Sequence, residues 1–584
     1  MLVNITINGK KFTEESSLTI LQVARKHSIK IPTLCYLTRE ESCLEHKPAS
    51  CRVCLVEVEG RRNLLPACAT QIAEGMVVNT NNKKVRDARK TVVELLLSNH
   101  PNDCLTCPKN GKCELQKLAQ DLGIRDIPYA GELSQKNEYR EIRGIMKNAS
   151  KCVLCGKCVA VCKEVQGIEA ISATNRGFFT KISDPSKCVT CGQCVQVCPT
   201  GALIQVDSTH LVEEALNDPT KVVIVNTAPA TRVSLGEEFG LPYGTDVTKQ
   251  MVTSFRELGF DKVFDTNFTA DLTIMEEATE FLKRFKSGER LPLITSCCPG
   301  WIKFIETQYA DLLHLPSSCK SPMEMFGAVT KSYYAEKNGI DPKNIVLVSL
   351  MPCLAKKREA ARTELSNDGM QNVDIVLTVK EYAEMLKRHG IELTELEDGE
   401  FDSLIGASTG AADIFANTGG VIEAVARTAT KWLTGEVKDV NFEAVRGLSG
   451  TREANVKIGD VELKLCIVSG LANARKVLDK VRAGEADYHA IEIMACPGGC
   501  VNGGGQPVHM GVDQIDVIRA RQASIYSIDS KKELRVSCDN PEIKKIYDEY
   551  LGEPNSHKAH ELLHTHYFDC DDINDPEFDI SELD

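Results

Sequence analysis

Eight cysteines between residues 152 and 198 repeat one spacing twice. The pattern C-x2-C-x2-C-x3-C begins at Cys152 and again at Cys188, with Pro199 after the second copy. A cubane cluster needs four thiolates, of which three come from one such loop and the fourth of each run reaches the other cluster. The spacing therefore predicts two [4Fe–4S] clusters, one on Cys152, Cys155, Cys158 and Cys198 and one on Cys188, Cys191, Cys194 and Cys162. A pair of zinc ribbons is the alternative, but zinc sites favour two separated cysteine pairs.

A histidine and three cysteines upstream form a second candidate set with the spacing H-x3-C-x2-C-x5-C. The members of this histidine–cysteine set are His100, Cys104, Cys107 and Cys113. A neutral imidazole in place of one thiolate makes an iron–sulfur cluster less negative, which generally raises its reduction potential. A zinc site of three cysteines and one histidine is the competing interpretation. The neighbouring cluster loops favour a third [4Fe–4S] cluster.

Four cysteines near the start of the chain can hold a [2Fe–2S] cluster. They are Cys35, Cys51, Cys54 and Cys68. The Cys-Arg-Val-Cys pair at 51–54 is the firmest part of this prediction. Cys43 lies inside the long gap before that pair and is an alternative to Cys35. For the whole set, a zinc site or a group of structural thiols is the competing interpretation.

The cysteine distribution divides the chain into small N-terminal modules and one larger domain. Sixteen of the 25 cysteines precede residue 200. At the start, Val3, Ile5 and Ile7 alternate as in a strand and Asn8-Gly9 is a preferred hairpin turn, which favours a β-grasp module. We predict a β-grasp [2Fe–2S] module over 1–80, a module carrying the histidine–cysteine set over 81–140 with a helix at 85–99, a ferredoxin-like two-cluster module over 141–208, and a final domain over 209–584.

The final domain alternates predicted strands and helices. Apolar runs at 222–226 and 346–350 are typical of buried strands and 270–286 of a helix, so we expect an α/β architecture. Five of its cysteines lie in three motifs without any C-x2-C loop, so only folding can bring them together. The motifs are Thr295-Ser-Cys297-Cys298-Pro-Gly-Trp301, Met351-Pro-Cys353-Leu-Ala-Lys356-Lys357 and Glu492-Ile-Met494-Ala-Cys496-Pro-Gly-Gly-Cys500-Val-Asn-Gly-Gly-Gly-Gln506-Pro507. Taken singly, a buried cysteine behaves as a small hydrophobe and a glycine-rich loop is usually a turn.

Together, the three motifs resemble the signatures of the catalytic domain of [FeFe]-hydrogenases, and the upstream modules resemble the long clostridial-type form of that family. The likeness extends from residue 1 to about residue 567. It implies an enzyme that interconverts protons, electrons and H2. It also implies a two-lobed α/β catalytic domain, with parallel or mixed sheets flanked by helices, behind N-terminal α+β iron–sulfur modules.

The resemblance also implies a cofactor, the H-cluster, held by the three motifs. In that family four cysteines, matching Cys298, Cys353, Cys496 and Cys500, bind a [4Fe–4S] cubane, and the last one bridges to a diiron unit with CO, CN⁻ and an azadithiolate. Cys297 would exchange protons with the bridging amine, and Lys356 would hydrogen-bond a cyanide. The pocket wall would consist of Met351, Met494, Ala228, Pro229 and Ala230. Glycines at 498, 499 and 503–505 would let the backbone approach the cluster, because a Cβ there would collide with it.

A proton path is a further implication. Glu277 and Glu280 are three residues apart and share one helix face, with Arg284 one turn further on. From the residues alone this pattern indicates a solvated helix face. By resemblance, Cys297, Glu277, Ser317, Glu280 and Arg284 form the family's proton path.

The charge and composition of the chain limit the classes of partner that we expect. The formal charge is −13 and no basic stripe interleaved with aromatics occurs, so we expect no nucleic-acid partner. No apolar run reaches the roughly 18 residues that cross a bilayer, and the start lacks a signal-peptide pattern, so we expect a cytoplasmic protein without membrane contact whose thiols bind metal.

The electron partner is left open between two classes. No G-x-G-x-x-G or P-loop occurs, so nucleotide chemistry would belong to flavin- or NAD(P)-binding diaphorase subunits. Free ferredoxin is the simpler partner, and in this family maturation proteins install the diiron unit. The alternative functions are a non-catalytic electron-transfer subunit, an H2 sensor and an iron–sulfur assembly homologue.

Overall fold

The computed structural model describes residues 1–142, 144–185, 187–403, 405–437, 441–458 and 461–570. These residues form two compact units. Those within Met1–Glu164, Glu169–Pro185 and Cys194–Ile204 form the first unit, and those within Val165–Ile168, Ser186–Gln193 and Gln205–Asp584 form the second. None of the described helices is both long and apolar enough to span a lipid bilayer.

The first unit begins with a five-stranded sheet and a helix. The strands here are β1 Leu2–Ile7, β2 Lys10–Glu15, β3 Leu37–Arg39, β4 Leu44–His46, β5 Leu55–Val58, β6 Leu65–Pro66 and β7 Met76–Asn79. Five of them form the sheet, in the order β2-β1-β7-β5-β6, and β3 and β4 form a separate antiparallel pair. β1 and β2 join through Asn8 and Gly9, whose φ values of 50° and 82° suit a type I′ turn. Helix α1 (Ile20–Lys26) begins with a capping box between Thr19 and Gln22. Hairpin, helix and returning strands give the predicted β-grasp topology.

The rest of the first unit consists of short elements around the cysteine loops. They are α2 Lys83–Ser98, α3 Glu114–Asp121, β8 Arg140–Ile142, β9 Ile145–Lys147, α4 Lys157–Ala160, β10 Ala173–Thr174, β11 Lys181–Ile182, α5 Gln193–Val197 and β12 Leu203–Gln205. The helix predicted at 85–99 is α2, and Asn82 caps its first turn. Val93 of α2 and Leu115 of α3 pack in one apolar cluster with Cys35, Cys51 and Cys155, so both helices cover cysteine loops.

The second unit contains two four-stranded sheets. Their strands are β13 Val222–Thr227, β14 Lys262–Asp265, β15 Leu293–Ile294, β16 Ile345–Met351, β17 Ile375–Thr378, β18 Thr451–Ile458, β19 Val461–Ser469 and β20 Ala490–Met494. The first sheet, β14-β13-β16-β17, is parallel throughout. The second, β15-β20-β19-β18, is parallel except for the antiparallel β18–β19 pair. Buried apolar side chains line both sheets, so the predicted α/β class is confirmed.

Helices cover these sheets. They are α6 Thr209–Leu216, α7 Thr248–Glu257, α8 Asn267–Ser287, α9 Pro299–Gln308, α10 Pro322–Val329, α11 Ala335–Asn338, α12 Ala355–Ala360, α13 Val379–Arg388, α14 Gly410–Asp413, α15 Gly420–Thr434, α16 Leu471–Arg482, α17 Gln514–Lys531, α18 Pro541–Ile546 and α19 His557–Leu563. The helix predicted at 270–286 is α8, and most of its length is buried rather than amphipathic at the surface.

The three cysteine motifs follow the carboxyl ends of parallel strands. Cys297 and Cys298 follow β15, Cys353 follows β16, and Cys496 follows β20. β15 and β20 are neighbours in the second sheet and β16 belongs to the first, so the motifs come from the carboxyl edges of both sheets. In parallel α/β sheets the loops at this edge are where ligands bind.

Candidate active site

Four thiols from three segments converge in the second unit. Burial raises the pKa of Cys298, Cys353, Cys496 and Cys500, and Cys298 raises that of the other three further. For Cys353 the pKa reaches about 12. Because thiols that oppose one another's ionisation need a cationic group to become thiolates, this donor set fits an iron–sulfur cluster.

Two N–H groups point at these sulfurs. The Ala495 amide donates to Cys298 Sγ at 3.4 Å, and Gln193 Nε2 donates to Cys496 Sγ at 3.5 Å. Hydrogen bonds to the sulfurs are one of the means by which a protein sets a cluster's potential. The sequence did not indicate Gln193. It lies inside a cysteine loop whose spacing draws attention only to the thiols.

The glycine-rich third motif allows close approach between protein segments. A Cβ on Gly503 would collide with the Pro352 carbonyl, and one on Gly504 would collide with the backbone of Gly192. A Cβ on Gly499 would meet the Thr418 amide at 2.6 Å. The prediction that these glycines make room for the cluster was therefore wrong in its reason, because protein atoms already occupy the space.

Cys297 and Lys356 lie beside the four thiols. Burial raises the pKa of Cys297 well above its usual value, and Cys500 and Glu277 raise it further. Lys356 Nζ donates to the Cys297 carbonyl at 3.3 Å and to Glu359 Oε2 at 2.5 Å. Although burial opposes the charge, Glu359 keeps the pKa of Lys356 above its usual value. Among the described residues these are the two acceptors of the ammonium, so its third proton is available to a ligand.

The predicted pocket-wall residues are mostly buried and near the thiols. Met494 packs in the apolar cluster that Cys297 adjoins, and Ala230 in one that Cys500 adjoins. Met351 shares a cluster with Ala228, whose amide donates to the Leu350 carbonyl. Pro229 lies between the two alanines. Gln506, which sequence reasoning left without a role, ties the segments together by donating to the carbonyls of Ala230 and Cys500 at 3.1 and 3.3 Å.

Helix α8 directs its carboxyl groups inward. Glu277 is 1 % exposed, and burial, with Glu280 and Glu492, raises its pKa to about 8. Its Oε1 has no hydrogen-bond partner among the described residues. Glu280 and Arg284 are also buried, so a solvated helix face, the interpretation from residues alone, is wrong. Glu277 is protonated at neutral pH and lies close enough to Cys297 to raise the pKa of that thiol.

Ser317 connects the two carboxyl groups of α8. Its Oγ donates to Glu280 Oε2 at 2.8 Å and also hydrogen-bonds Glu277. Arg284 Nη2 donates to Glu280 Oε1 at 2.5 Å, and its Nη1 donates to the Leu315 carbonyl at 2.7 Å. Proton relay needs titratable groups and hydroxyls within hydrogen-bond reach of one another, which this chain provides.

The predicted [2Fe–2S] ligands lie together in the first unit. A hydrogen bond joins the thiols of Cys35 and Cys51, and another joins those of Cys54 and Cys68. Cys35 and Cys51 both contribute to raising the pKa of Cys68. Cys43, by contrast, is exposed.

The histidine–cysteine set shows a buried ring without protein partners. Neither nitrogen of His100 has a hydrogen-bond partner among the described residues, and burial lowers its pKa to about 4. A neutral imidazole of this kind is the metal-binding form. Cys104 and Cys107 both raise the pKa of Cys113 and therefore lie near it.

The two predicted ligand sets of the cysteine repeat differ in where their members lie. Cys152, Cys155, Cys158 and Cys198 line one small cavity of the first unit. Of the other set, Cys162 and Cys194 belong to the first unit and Cys188 and Cys191 to the second, so this set stays a prediction. Among the described residues, no three His, Cys, Asp or Glu side chains are placed to hold a single metal ion.

Comparison with known proteins decides the family. The model for the iron-only hydrogenase large subunit, C-terminal domain, matches residues 221–504, and that for the iron hydrogenase small subunit matches 515–569. Over 583 residues the chain is 50 % identical to the NADP-reducing hydrogenase subunit HndD of Solidesulfovibrio fructosivorans, covering 97 % of this chain and 99 % of that protein. The chain belongs to the [FeFe]-hydrogenases.

Other relatives of this [FeFe]-hydrogenase agree. Iron hydrogenase 1 of Clostridium pasteurianum is 40 % identical over 96 % of this chain and 99 % of that protein. A solved structure of [FeFe]-hydrogenase HydA1 from Chlamydomonas reinhardtii matches with a TM-score of 0.55 and 42 % identity, over 61 % of this chain and 98 % of that one. The predicted family, enzyme class and α/β catalytic domain are confirmed.

Upstream of the catalytic domain, the models matched describe iron–sulfur domains. A 2Fe–2S iron–sulfur cluster binding domain matches 1–83, the NADH-ubiquinone oxidoreductase-G iron–sulfur binding region matches 89–128, and a 4Fe–4S dicluster domain matches 141–202. This [FeFe]-hydrogenase therefore has N-terminal [2Fe–2S] and [4Fe–4S] domains.

Proposed function

We propose that Cys298, Cys353, Cys496 and Cys500 hold the H-cluster, with Cys500 bridging to the diiron unit and Cys297 as the adjacent proton donor and acceptor. The observation that carries this proposal is the convergence of five thiols from three strand ends, four of them able to ligate and one beside a protonated acid. When bound, the cluster supplies the reducible metal at which two protons and two electrons become H2.

The chain's own residues divide the remaining work. Lys356 supplies a fixed positive charge for an anionic ligand, supported by its pairing with Glu359. The wall of Met351, Met494, Ala228, Pro229 and Ala230 excludes water. Protons move between Cys297 and the outside through Glu277, Ser317 and Glu280, with Arg284 holding the outer carboxylate.

The accessory clusters complete the electron path. We assign one [2Fe–2S] cluster to Cys35, Cys51, Cys54 and Cys68, and the exposure of Cys43 supports Cys35 as the ligand. Three accessory [4Fe–4S] clusters lie on the histidine–cysteine set and on the two halves of the repeat. The boundaries between the three iron–sulfur modules and the catalytic domain lie, in this proposal, at residues 80, 140 and 208.

The electron partner that we propose is a flavin- and NAD(P)-binding diaphorase subunit in the cytoplasm. The near full-length likeness to a protein named as a subunit of an NADP-reducing hydrogenase supports this over free ferredoxin. Maturation proteins would install the diiron unit, and the acidic chain suits no nucleic-acid partner. Copurification of flavin-containing subunits tests the partner, and a chain that purifies alone and reduces ferredoxin with H2 favours the simple enzyme.

Infrared spectroscopy of the purified, matured protein tests the catalytic site. We expect bands from iron-bound CO and CN⁻ in the wild type and their loss in C500S, with the accessory clusters retained. C466S is the control, because Cys466 is a buried thiol that belongs to none of the proposed ligand sets. Intact CO and CN⁻ bands in C500S would contradict the bridge assignment. H2 evolution with a reduced dye separates the enzyme from a sensor or a non-catalytic subunit.

A further inference from the structure

Glu280, the outer carboxylate of the proposed proton path, has two outward connections. Its Oε1 accepts from Arg284, whereas its Oε2 accepts from the Ser318 amide at 3.1 Å and from Ser318 Oγ at 3.4 Å. Ser318 Oγ lies 2.8 Å from His564 Nδ1, and His564 Nε2 lies 3.0 Å from Glu276 Oε2. A continuous set of side chains therefore leads away from Glu280 through the carboxylate oxygen that Arg284 does not contact.

Arg284 is poorly suited to pass protons on. A guanidinium does not lose its proton in proteins. Both terminal nitrogens of Arg284 also donate to backbone carbonyls, those of Leu315 and Pro316, at 2.7 and 3.0 Å. Arg284 therefore positions Glu280, while histidine is the side chain whose charge changes near neutral pH.

Glu276 orients the His564 ring. The Glu276 carboxylate is fully buried and accepts from the Tyr547 hydroxyl and, at 2.7 Å, from the Asn555 amide. A carboxylate held in this way favours a proton on His564 Nε2, so that Nδ1 presents its lone pair to Ser318. The order carboxylate, imidazole, hydroxyl is the one that makes a serine hydroxyl transfer its proton in hydrolytic triads.

We propose that Ser318 and His564 form the outlet of the proton path, joining Glu280 to solvent. This inference rests on the proposed path through Glu277 and Glu280. In the outward direction the Glu280 carboxyl gives a proton to Ser318 Oγ as Ser318 gives its own to His564 Nδ1. The imidazolium, paired with Glu276, then returns one proton to a base in solution. In the inward direction, which H2 evolution uses, the same steps run backwards, and no electrons move.

The surroundings of His564 connect it to the surface. His564 is 8 % exposed, and the centroid of its ring lies 4.0 Å from that of the ring of His560, an exposed residue. The titratable and charged groups that face this pair are Glu276, Glu280, Lys283, Tyr547 and Cys319. Burial and His564 lower the pKa of His560, which leaves that outer ring neutral and able to accept a proton.

The segment that carries His564 is held against the path by its backbone. The Lys320 amide donates to the Leu563 carbonyl at 2.8 Å, and the Thr565 amide donates to the Ser318 carbonyl at 2.7 Å. This segment belongs to the stretch matched by the iron hydrogenase small subunit model. The small-subunit part of the chain therefore supplies the last titratable group of the path.

H2 evolution by H564Q and S318A tests the outlet. Glutamine at 564 keeps a polar side chain but cannot titrate. Alanine at 318 removes the hydroxyl but keeps the hydrogen bond that the backbone N–H of residue 318 donates to Glu280. We expect the rate to fall about 10²-fold in both variants, the lower end of what a positioned proton-transfer group contributes. Added imidazole should restore much of the rate in H564Q, and iron content should be unchanged. H557Q is the matched control, because His557 is exposed on α19, the helix that ends just before His564.

The outcomes separate the outlet from the path. Wild-type rates in H564Q and S318A, with E277Q inactive, would overturn the outlet and leave the path through Glu277 in place. Wild-type activity in E277Q would overturn the path itself. If H564Q loses iron and S318A does not, the rate of H2 evolution by S318A decides whether the outlet exists. A slow, iron-replete H564Q that imidazole does not restore would count against His564 as a relay.

Discussion

At the scale of single residues, the two neighbouring acids Glu277 and Glu280 have different surroundings. Glu277 has one unpartnered oxygen and a pKa raised to about 8 by burial, whereas Glu280, one turn away, accepts from Arg284, Ser317 and Ser318. Burial thus keeps the proton on Glu277 at neutral pH, while hydrogen bonds fix the position of the second carboxyl group beside it. Proton transfer along α8 therefore follows from packing rather than from residue type alone.

The variant E277Q should lose H2 evolution by roughly 10²- to 10⁴-fold, because glutamine keeps the shape but removes the exchangeable carboxyl proton. Turnover with a reduced dye measures the rate, and iron analysis with infrared spectroscopy checks that the clusters are loaded. E289Q, an exposed glutamate just beyond the same helix, is the matched control and should behave as the wild type.

The pH profile gives a second measure of the same residue. A raised carboxyl pKa means that Glu277 is protonated below about pH 8 and ionised above it. The wild-type rate of H2 evolution should therefore decline as pH rises through about 8. A decline centred near pH 4.5, the ordinary range of a glutamate, would contradict a buried Glu277 as donor.

At the scale of elements, strand ends create the site, and this is where the sequence was least informative. The local cysteine loops and the β-grasp hairpin could be predicted, because their spacing and turn residues act over a few positions. The contacts of Gln193 with Cys496, and of His564 with Ser318, join segments hundreds of residues apart. No local pattern encodes such pairs, whereas the one-turn spacings of Lys356 with Glu359 and of Glu280 with Arg284 do indicate ion pairs.

The close approach of the third motif to β16 gives a prediction at this scale. G503A should push the motif away from the Pro352 carbonyl, at a cost of roughly 1–3 kcal/mol of strain. We expect purified G503A to contain less H-cluster, with weaker CO and CN⁻ bands, while the accessory clusters stay. G131A is the control, because a Cβ there meets open space. Full CO and CN⁻ bands in G503A would show that the close contact is dispensable.

At the scale of the whole molecule, chemistry and electron supply are carried by different parts of the chain. The catalytic motifs all lie in the second unit, and the [2Fe–2S] set lies wholly in the first. A small dye can deliver electrons at any exposed point, whereas a protein partner must use the module on which it docks. Loss of the [2Fe–2S] cluster should therefore lower turnover with only some electron donors.

C54S and C353S together test this division. C54S should remove the [2Fe–2S] signal and stop turnover driven by a flavoprotein partner, yet retain most turnover driven by reduced methyl viologen. C353S should stop turnover with every donor, because it removes a thiol of the catalytic set. C43S is the matched control, since an exposed thiol outside the cluster should leave both activities intact. Loss of the [2Fe–2S] signal in C43S would instead make Cys43 the fourth ligand, because serine in place of an unligated surface thiol removes nothing that a cluster needs.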